Sequence, residues 1–256
     1  MAPAELALIF FVDWPKECAA VIPCFNEQAA IGAVVKGVCE HLPTVFVVDD
    51  GSTDRTATAA EQVGAIALVH KANRGKGAAL RTGWQRALER GFRWAMTLDG
   101  DGQHLAEHVP AFFECAERTG AALVAGNRMT HAGDMPWVRR VVNRWMSRRI
   151  SKAAGRLLPD SQCGFRLMNL DAWSELPLAT THFEIESEVL LAFVARGYAV
   201  EFVPVRAIYE GEHSKIHPVR DTVRWLKWWR GAKGSGRQLA RLNKLNGLNE
   251  LNELKR

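Results

Sequence analysis

The stretch TLDGDGQH, residues 97–104, joins the end of a mainly apolar run to two aspartates, Asp99 and Asp101, that are separated by one glycine. The run, residues 94–98, does not alternate between apolar and polar residues, which predicts a buried strand of a parallel sheet. Gly100 and Gly102 allow the chain to turn where this strand ends. Carboxylate and amide oxygens are the ligands that Mg²⁺ and Mn²⁺ prefer, but Asp and Gly are also common in plain turns. The stretch alone therefore predicts either a divalent-metal site or a turn.

On both sides of this stretch, apolar strands alternate with helical patterns. Strands are predicted at 18–23, 44–48, 65–69, 92–98 and 121–125, and helices at 27–41, 52–63, 76–90 and 106–118. Ser52 or Thr53 is predicted to cap the helix that begins there. The repeated order of strand and helix predicts an α/β fold with a mostly parallel central sheet and helices on both faces.

The second half of the chain is less regular. Helices are predicted at 136–158, 184–195 and 217–229, and strands at 164–168 and 199–205. From Gly231 the composition is that of a flexible linker, and leucines then recur at every third position from Leu239 to Leu254. The predicted organisation is an N-terminal extension (1–17), an α/β domain (18–216), an amphipathic helix (217–230) and a low-complexity tail (231–256) that is either native or added during cloning.

Charge and cysteine content limit the classes of function. The net charge of +5 and the pI near 9.1 favour an anionic partner such as phosphate or an anionic membrane surface. No recognised nucleic-acid module accompanies this charge, so nucleic acid is not a predicted partner. The five cysteines show no zinc spacing, which predicts reduced thiols and a cytoplasmic protein. No apolar run reaches the length of a membrane span.

Three predicted strands end in polar clusters: PCFNE (23–27), DDGSTD (49–54) and DGDGQ (99–103). Ligands of open α/β sheets bind at the carboxyl ends of the strands. We therefore expect the three clusters to form one site. Phe25 could stack on a base, and Glu27 or Asp50 could accept hydrogen bonds from a base or ribose. No glycine-rich dinucleotide motif is present, so NAD is not favoured.

Six motifs in order carry a family resemblance: VIPCFNE (21–27), VVDDGSTD (47–54), NRGKGAAL (73–80), TLDGDGQH (97–104), AGNR (125–128) and QCGFR (162–166). The chain resembles the family 2 inverting glycosyltransferases of the GT-A fold, a Rossmann-like architecture. It is most similar to the branch that contains dolichol-phosphate mannose synthase and the bacterial polyprenyl-phosphate glycosyltransferases. The resemblance covers residues 18–216. It departs from the family in Phe25, which replaces the usual tyrosine, and in lacking the hydrophobic spans of many relatives.

The resemblance implies a set of site residues. The nucleotide of a UDP- or GDP-linked sugar would be lined by Pro23, Phe25, Glu27, Val48, Asp50 and Asp99. Mg²⁺ or Mn²⁺ would be held against the diphosphate by Asp99, Asp101 and Gln103. The acceptor would be bound by Arg128, Arg139, Asn143 and Arg166. Lys215 would act with Asp99, Asp101 and Arg128 in catalysis, as a loop lysine near the diphosphate.

The identity of the acceptor decides whether the reaction needs a base. A lipid phosphate such as polyprenyl phosphate is largely ionised at neutral pH, because its second pKa is about 6. It would then require arginines for placement and no general base. A hydroxyl acceptor would require a carboxylate to remove its proton. The candidates are Asp160, Glu184 and Glu186, although Glu184 and Glu186 could instead cap a helix.

Two basic helices suggest where the protein acts. The predicted helix 136–158 interleaves arginines with apolar residues, and the helix 217–230 combines Arg and Lys with Trp225, Trp228 and Trp229. Trp beside Lys and Arg is typical of a helix in a membrane interface, and the alternative is a core-packing face with a solvated basic side. We predict a peripheral enzyme at the cytosolic membrane face with a lipid-linked acceptor. The alternatives are transfer to a hydroxyl of another lipid or polymer, and a non-catalytic nucleotide-sugar binder at the membrane.

Overall fold

The computed structural model describes residues 12–133, 135–209 and 220–232, and the elements below lie in those ranges. The strands are β1 (Cys18–Cys24), β2 (Val45–Asp49), β3 (Ile66–Val69), β4 (Trp94–Thr97), β5 (Leu123–Asn127), β6 (Arg166–Asn169) and β7 (Val200–Pro204). The helices are α1 (Trp14–Glu17), α2 (Ile31–Cys39), α3 (Thr56–Glu61), α4 (Lys76–Glu89), α5 (Val109–Thr119), α6 (Trp137–Ala154), α7 (Leu170–Ser174) and α8 (Ile185–Ala195). Residues 220–232 are also helical, and we call them the C-terminal helix.

The strands form one sheet in the order β3-β2-β1-β4-β6-β5-β7. Strand β1 pairs in parallel with β2 and β4, and β2 pairs in parallel with β3. Strand β6 lies antiparallel between β4 and β5, and β7 is parallel to β5. The predicted mostly parallel sheet is thus confirmed, with β6 as the exception. The carboxyl ends of β1, β2 and β4 meet at one edge, where the three polar clusters lie.

Helices cover both faces of the sheet. Strand β1 is fully buried, and its side chains alternate between two hydrophobic clusters. Ala20 and Ile22 pack with α2 and α5 on one face, whereas Ala19 and Val21 pack with α4 and α8 on the other. Continuous burial explains the lack of alternation in the sequence, since a strand covered on both faces has no solvent side.

Helices α2 and α3 begin four residues later than predicted, and α6 ends at Ala154, before the predicted end at residue 158. Helix α2 begins at Ile31 because residues 25–28 are instead bonded to the loop after β2 and to the start of α3. The Gln28 amide donates to Asp54 Oδ2 at 3.2 Å, and the Glu27 amide donates to Thr56 Oγ1 at 2.8 Å. The predicted caps Ser52 and Thr53 are wrong, since α3 begins at Thr56, whose amide donates to Asp54 Oδ1.

The C-terminal helix corrects the prediction of an interfacial tryptophan helix. Trp225 is 2% exposed and Trp229 is 7% exposed, and their indoles stack at a centroid distance of 5.4 Å. Both belong to the hydrophobic cluster that α4, α6 and α8 form, with Trp228 partly buried beside them. Trp225 Nε1 also donates to Ser187 Oγ on α8 at 3.0 Å. Trp225 and Trp229 attach the helix to the protein core, so their buried indoles are unavailable to a membrane.

In the described ranges, no helix combines the length and the apolarity that crossing a membrane would require.

Candidate functional site

The loops after β1 and β2 form the first wall of the site and are joined by hydrogen bonds. The Asn26 amide donates to Ser52 Oγ, and the Thr53 amide donates to Asn26 Oδ1, both at 2.8 Å. Asn26 has a φ of 55°, a left-handed conformation that is uncommon outside glycine. This geometry leaves the Phe25 ring 36% exposed at the edge of the sheet. The predicted stacking role of Phe25 fits this placement and stays a prediction, as does the role of Glu27 in the same turn.

Pro23 and Val48 lie inside the strands of this wall. Pro23 is buried in β1, and Val48 is fully buried in the cluster under α4. A Cβ placed on Gly83 of α4 would come within 3.1 Å of Val48. The prediction that the Val48 side chain lines a nucleotide pocket is therefore corrected, because that side chain is a core residue.

Asp50 organises the neighbouring loop from a buried position. Its carboxylate is 3% exposed and accepts hydrogen bonds from the Arg74 amide at 2.9 Å and the Gly75 amide at 2.7 Å. His70 Nδ1 lies 2.7 Å from the same carboxylate. Asp50 thus holds the NRGKG loop at the start of α4. Its contact with a base stays a prediction.

The DGDGQH loop forms the floor of the site. Asp101 Oδ1 accepts a hydrogen bond from the Gln103 amide at 3.0 Å, which closes the turn. The Asp99 amide donates to His104 Nδ1 at 3.2 Å. A Cβ placed on Gly100 would come within 2.4 Å of Cys24 Sγ, so only glycine lets the loop approach β1 this closely. The loop is therefore a specific structure that holds Asp99, Asp101 and Gln103 within six residues of the end of β4.

Lys76, the first residue of α4, is a site residue that sequence reasoning missed. Its Nζ lies 2.5 Å from Asp99 Oδ1 and 2.8 Å from Glu186 Oε1, and its side chain is 12% exposed. Burial lowers the pKa of Lys76, but the two carboxylates outweigh burial and raise the pKa above its ordinary value. Burial alone would raise the pKa of Asp99, whereas Lys76 lowers it far below the usual range. The lysine of the NRGKG motif was the sequence signal that could have identified Lys76 as a site residue, because a lysine at the start of a helix does not cap that helix.

Glu186 and Arg166 extend this cluster beneath the site. Arg166 Nη2 lies 3.0 Å from Glu186 Oε2, and both side chains are about 5% exposed or less. Arg166 Nε also donates to Cys163 O at 2.8 Å. The prediction that Arg166 binds the acceptor is corrected, because its guanidinium is buried against the protein. Glu186, a candidate base, lies between two cations.

Arg128 and Asp160 form a second buried ion pair. Arg128 Nε and Nη2 donate to the two carboxylate oxygens of Asp160 at 2.8 and 3.0 Å, and Asn143 Nδ2 donates to Asp160 Oδ1 at 2.9 Å. Burial would raise the pKa of Asp160, but Arg128 overcomes that effect and lowers it. Asp160 is fully buried and Asn143 is 4% exposed. The predictions of Asp160 as a base and Asn143 as an acceptor ligand are therefore corrected, and both residues fix the position of Arg128.

Arg139 lies at the opposite wall. Its Nη1 lies 3.4 Å from Gln103 Oε1, and its guanidinium lies over the Tyr209 ring at 5.6 Å. The first turn of α6 thereby lies beside the DGDGQH loop, and the acceptor-binding role of Arg139 stays a prediction. Lys215 falls outside the described residues.

Glu184 is the remaining candidate base. Burial raises its pKa, and the neighbouring Arg224 of the C-terminal helix lowers it less. Arg224 Nε lies 3.8 Å from Glu184 Oε1. A carboxyl group with a raised pKa suits a proton acceptor better than the strongly paired Asp160 does.

The metal prediction can be tested against the donor set. In the described part of the chain, no three His, Cys, Asp or Glu side chains are grouped to hold a metal by themselves. Two carboxylates and one amide oxygen nevertheless suit a hard divalent cation whose other ligands come from a phosphate. His104 is not expected as a ligand, since its Nδ1 already accepts from the Asp99 amide. The residues fit Mg²⁺ or Mn²⁺ that is shared with a bound diphosphate.

The lowered pKa of His104 predicts that the free energy of unfolding depends on pH. Burial lowers its pKa from 6.5 to about 4, and the Asp99 carboxylate only partly opposes this. As the pH falls from 6.5 towards 4, the unfolded chain binds a proton that the folded protein does not. The free energy of unfolding should therefore fall by up to about 1.4 kcal/mol per pH unit in that window. Urea denaturation of His104→Gln should show a pH slope smaller by one proton, and an unchanged slope would contradict the assignment.

Comparisons with known proteins identify the family of the chain. The family model described as Glycosyl transferase family 2 matches residues 19–176. The chain is 28% identical to the UDP-N-acetylglucosamine–dolichyl-phosphate N-acetylglucosaminyltransferase of Methanococcus voltae, over 74% of this chain and 84% of that protein. It is 31% identical to the undecaprenyl-phosphate mannosyltransferase of Micrococcus luteus, over 71% of this chain and 73% of that protein.

A solved structure supports the architecture. Glucosyl-3-phosphoglycerate synthase from Mycobacterium tuberculosis, in complex with Mn²⁺, UDP-glucose and phosphoglyceric acid, superposes with a TM-score of 0.66. The identity is 20%, and the match covers 85% of this chain and 79% of that chain. At this identity the likeness shows the fold alone, which is the GT-A fold.

Proposed function

Because the chain belongs to glycosyl transferase family 2, we propose that this glycosyltransferase moves a sugar from a UDP- or GDP-linked donor to a polyprenyl phosphate at a membrane surface. The names of the relatives from Methanococcus voltae and Micrococcus luteus contain dolichyl phosphate and undecaprenyl phosphate. Their sequence similarity supports an acceptor of the same class here.

The position of Arg139 is the single observation that carries the proposal. Its guanidinium contacts Gln103 in the metal loop, while Trp137, Val138 and Val141 from the same two turns of α6 are 68%, 49% and 53% exposed. A lipid phosphate needs a cation for its head group and an apolar surface for its first isoprene units. The start of α6 provides both, side by side with the donor loops.

The residues would share the work as follows. Asp99, Asp101 and Gln103 would hold the divalent cation, which when bound would screen the negative charge of the diphosphate. Phe25 and Glu27 would orient the nucleotide at the ends of β1 and β2. Arg139, with Lys215 in the segment outside the described residues, would neutralise phosphate charge during attack on the anomeric carbon. Inversion at that carbon follows from attack on the face opposite the leaving group.

Arg128 would contribute to acceptor binding through the fixed position of its guanidinium. Its carboxylate partner Asp160 fixes the guanidinium on the site side of β5, and its side chain is 12% exposed. Although Asp160 compensates its charge, an arginine held in this way would present its remaining N–H groups to the acceptor without rearrangement.

A hydroxyl acceptor is the second candidate, and the raised pKa of Glu184 favours it. A phosphate acceptor needs no proton removal near pH 7, whereas a hydroxyl does. Replacement of Glu184 by Gln should leave transfer to polyprenyl phosphate near the wild-type rate if the first proposal is right. Loss of transfer with retained donor binding would favour the hydroxyl reaction.

A donor panel tests the function directly. Release of nucleoside diphosphate from UDP- and GDP-linked sugars should require Mn²⁺ or Mg²⁺ and should increase when polyprenyl phosphate is added. Formation of a lipid-linked sugar in the same reaction identifies the acceptor. Absence of release with every donor would overturn the proposed function.

The exposed apolar side chains at the start of α6 predict peripheral membrane binding. The double variant Trp137→Ala/Val141→Ala should bind vesicles containing anionic lipid about tenfold more weakly than the wild type, since interfacial affinity scales with buried apolar area. Leu157→Ala is a matched control, because Leu157 is 78% exposed beyond the other end of the same helix. Sedimentation with vesicles measures both, and equal binding by all three proteins would contradict the placement of the membrane surface.

A further inference from the structure

The strongest unexplained feature is a chain of four charges beneath the donor loops, in which Glu186 and Arg166 are buried and the side chains of Lys76 and Asp99 are 12% and 27% exposed. Its members alternate in sign in the order Asp99, Lys76, Glu186 and Arg166, with contacts of 2.5, 2.8 and 3.0 Å. They come from the loop after β4, the start of α4, the first turn of α8 and strand β6. The chain therefore joins four separate elements at one point under the site.

Lys76 is the central member of this chain, since its Nζ contacts carboxylates on both sides. The surrounding backbone is adapted to it. A Cβ placed on Gly164 would lie 2.8 Å from both Lys76 Nζ and Asp99 Oδ1, so the glycine of QCGFR leaves the room that this contact occupies. A Cβ on Gly77 would lie 2.8 Å from the carbonyl carbon of Thr181, which shows how tightly the start of α4 packs on the segment before α8.

We propose that Lys76 is a positioning residue that supplies the internal countercharge of Asp99 and links it to Glu186. This inference rests on the proposed metal role of Asp99. In the protein without donor, Lys76 Nζ lies against Asp99 Oδ1. Its positive charge there weakens the attraction of the Asp99 carboxylate for a divalent cation. The same contact holds the Asp99 carboxylate and α8 in a fixed relation, so that the donor loop is ready for the cation and diphosphate together.

The proposal predicts effects of opposite sign on metal binding and on turnover. Removal of the ammonium group removes a positive charge next to a metal ligand, so Mn²⁺ alone should bind Lys76→Met about tenfold more tightly than the wild type. Turnover with donor and acceptor should fall at least tenfold, because Asp99 and Glu186 lose the group that orients them. A residue with a merely structural role would weaken metal binding and turnover together.

The experiment compares four full-length variants with the wild type. Mn²⁺ binding is measured by titration calorimetry, release of nucleoside diphosphate gives kcat and KM, and thermal unfolding reports folding. Lys76→Arg keeps the charge and should keep wild-type Mn²⁺ affinity. Lys76→Gln is a second neutral variant that retains hydrogen-bonding capacity, in case Lys76→Met does not fold. Lys36→Met, an exposed lysine on α2, is the matched control and should behave as the wild type.

The outcomes separate this inference from the proposed function. Tighter Mn²⁺ binding by a folded neutral variant, with slower turnover, supports it. Unchanged or weaker Mn²⁺ binding by both Lys76→Met and Lys76→Gln overturns it, even if the wild type is an active transferase. If the wild type releases no nucleoside diphosphate with any donor, the proposed function fails, while the Mn²⁺ comparison still decides the role of Lys76.

Discussion

Asp101→Ala is expected to reduce release of nucleoside diphosphate by about a hundredfold to a thousandfold, since the removal of a group that stabilises charge in the transition state costs this much in other enzymes. Asp101 supplies a carboxylate to the predicted cation site and also accepts the hydrogen bond from the Gln103 amide that closes the turn. The loss combines both contributions. Initial rates with a saturating donor and increasing Mn²⁺ measure the effect.

Asp101→Asn separates the charge from the turn. An asparagine keeps an oxygen at the Oδ1 position and therefore keeps the bond from the Gln103 amide, but it lacks the negative charge. If the carboxylate binds the cation, Asp101→Asn should be nearly as inactive as Asp101→Ala, while both unfold close to the wild-type temperature. Wild-type activity in Asp101→Asn would show that Asp101 only shapes the loop and would remove it from the metal site.

The parallel half of the fold could be predicted because its signals are local. Strands β1, β2 and β4 are continuously apolar, and each is followed by a helical pattern, so the order of elements alone implied parallel pairing. The position of β6 could not be predicted in this way. It pairs antiparallel with β4 and β5, and nothing in the short segment 166–169 states which strands lie beside it.

The C-terminal helix shows why an amphipathic pattern does not identify its partner. Trp225 and Trp229 are four residues apart and share a face, which suits both a membrane interface and a protein core. The structure resolves this in favour of the core, through stacking with each other and the bond from Trp225 to Ser187. On α6, by contrast, Trp137 stays 68% exposed, while Met146 and Ile150 of the same helix pack into the core.

In the candidate site, too, the placement of some residues could be predicted from the sequence and that of others could not. Asp99, Asp101 and Gln103 are neighbours in sequence, so their common placement could be predicted from one motif. Lys76 and Glu186 lie 2.8 Å apart but belong to distant parts of the chain, and their contact depends on the packing of α4 against the segment before α8. Arg166 and Asn143 were assigned to the acceptor by resemblance, whereas the structure places Arg166 in a buried ion pair with Glu186 and Asn143 in a buried hydrogen bond to Asp160.

Asp160→Asn is expected to lower the free energy of unfolding by about 3–5 kcal/mol, because removing one partner of a buried ion pair leaves the other charge uncompensated. The Asp160 side chain is fully buried and accepts hydrogen bonds from Arg128 Nε, Arg128 Nη2 and Asn143 Nδ2. An asparagine amide would direct an NH₂ group at one of these donors. Urea denaturation at pH 7 measures the change.

Asp171→Asn is the matched control for this variant. Asp171 Oδ2 lies 3.5 Å from Arg93 Nε, and both side chains are at least 60% exposed, so the variant should change stability by less than about 1 kcal/mol.

Asp160→Asn should also differ from the wild type in its stability at acid pH. The lowered pKa of Asp160 contributes stability that is present above the ordinary pKa of 3.8 and is lost as the pH falls through the folded value, so Asp160→Asn should lose less stability than the wild type below pH 4. A loss at pH 7 no greater than that of Asp171→Asn would mean that Arg128 is solvated without Asp160, and that Asp160 does not fix the position of the Arg128 guanidinium.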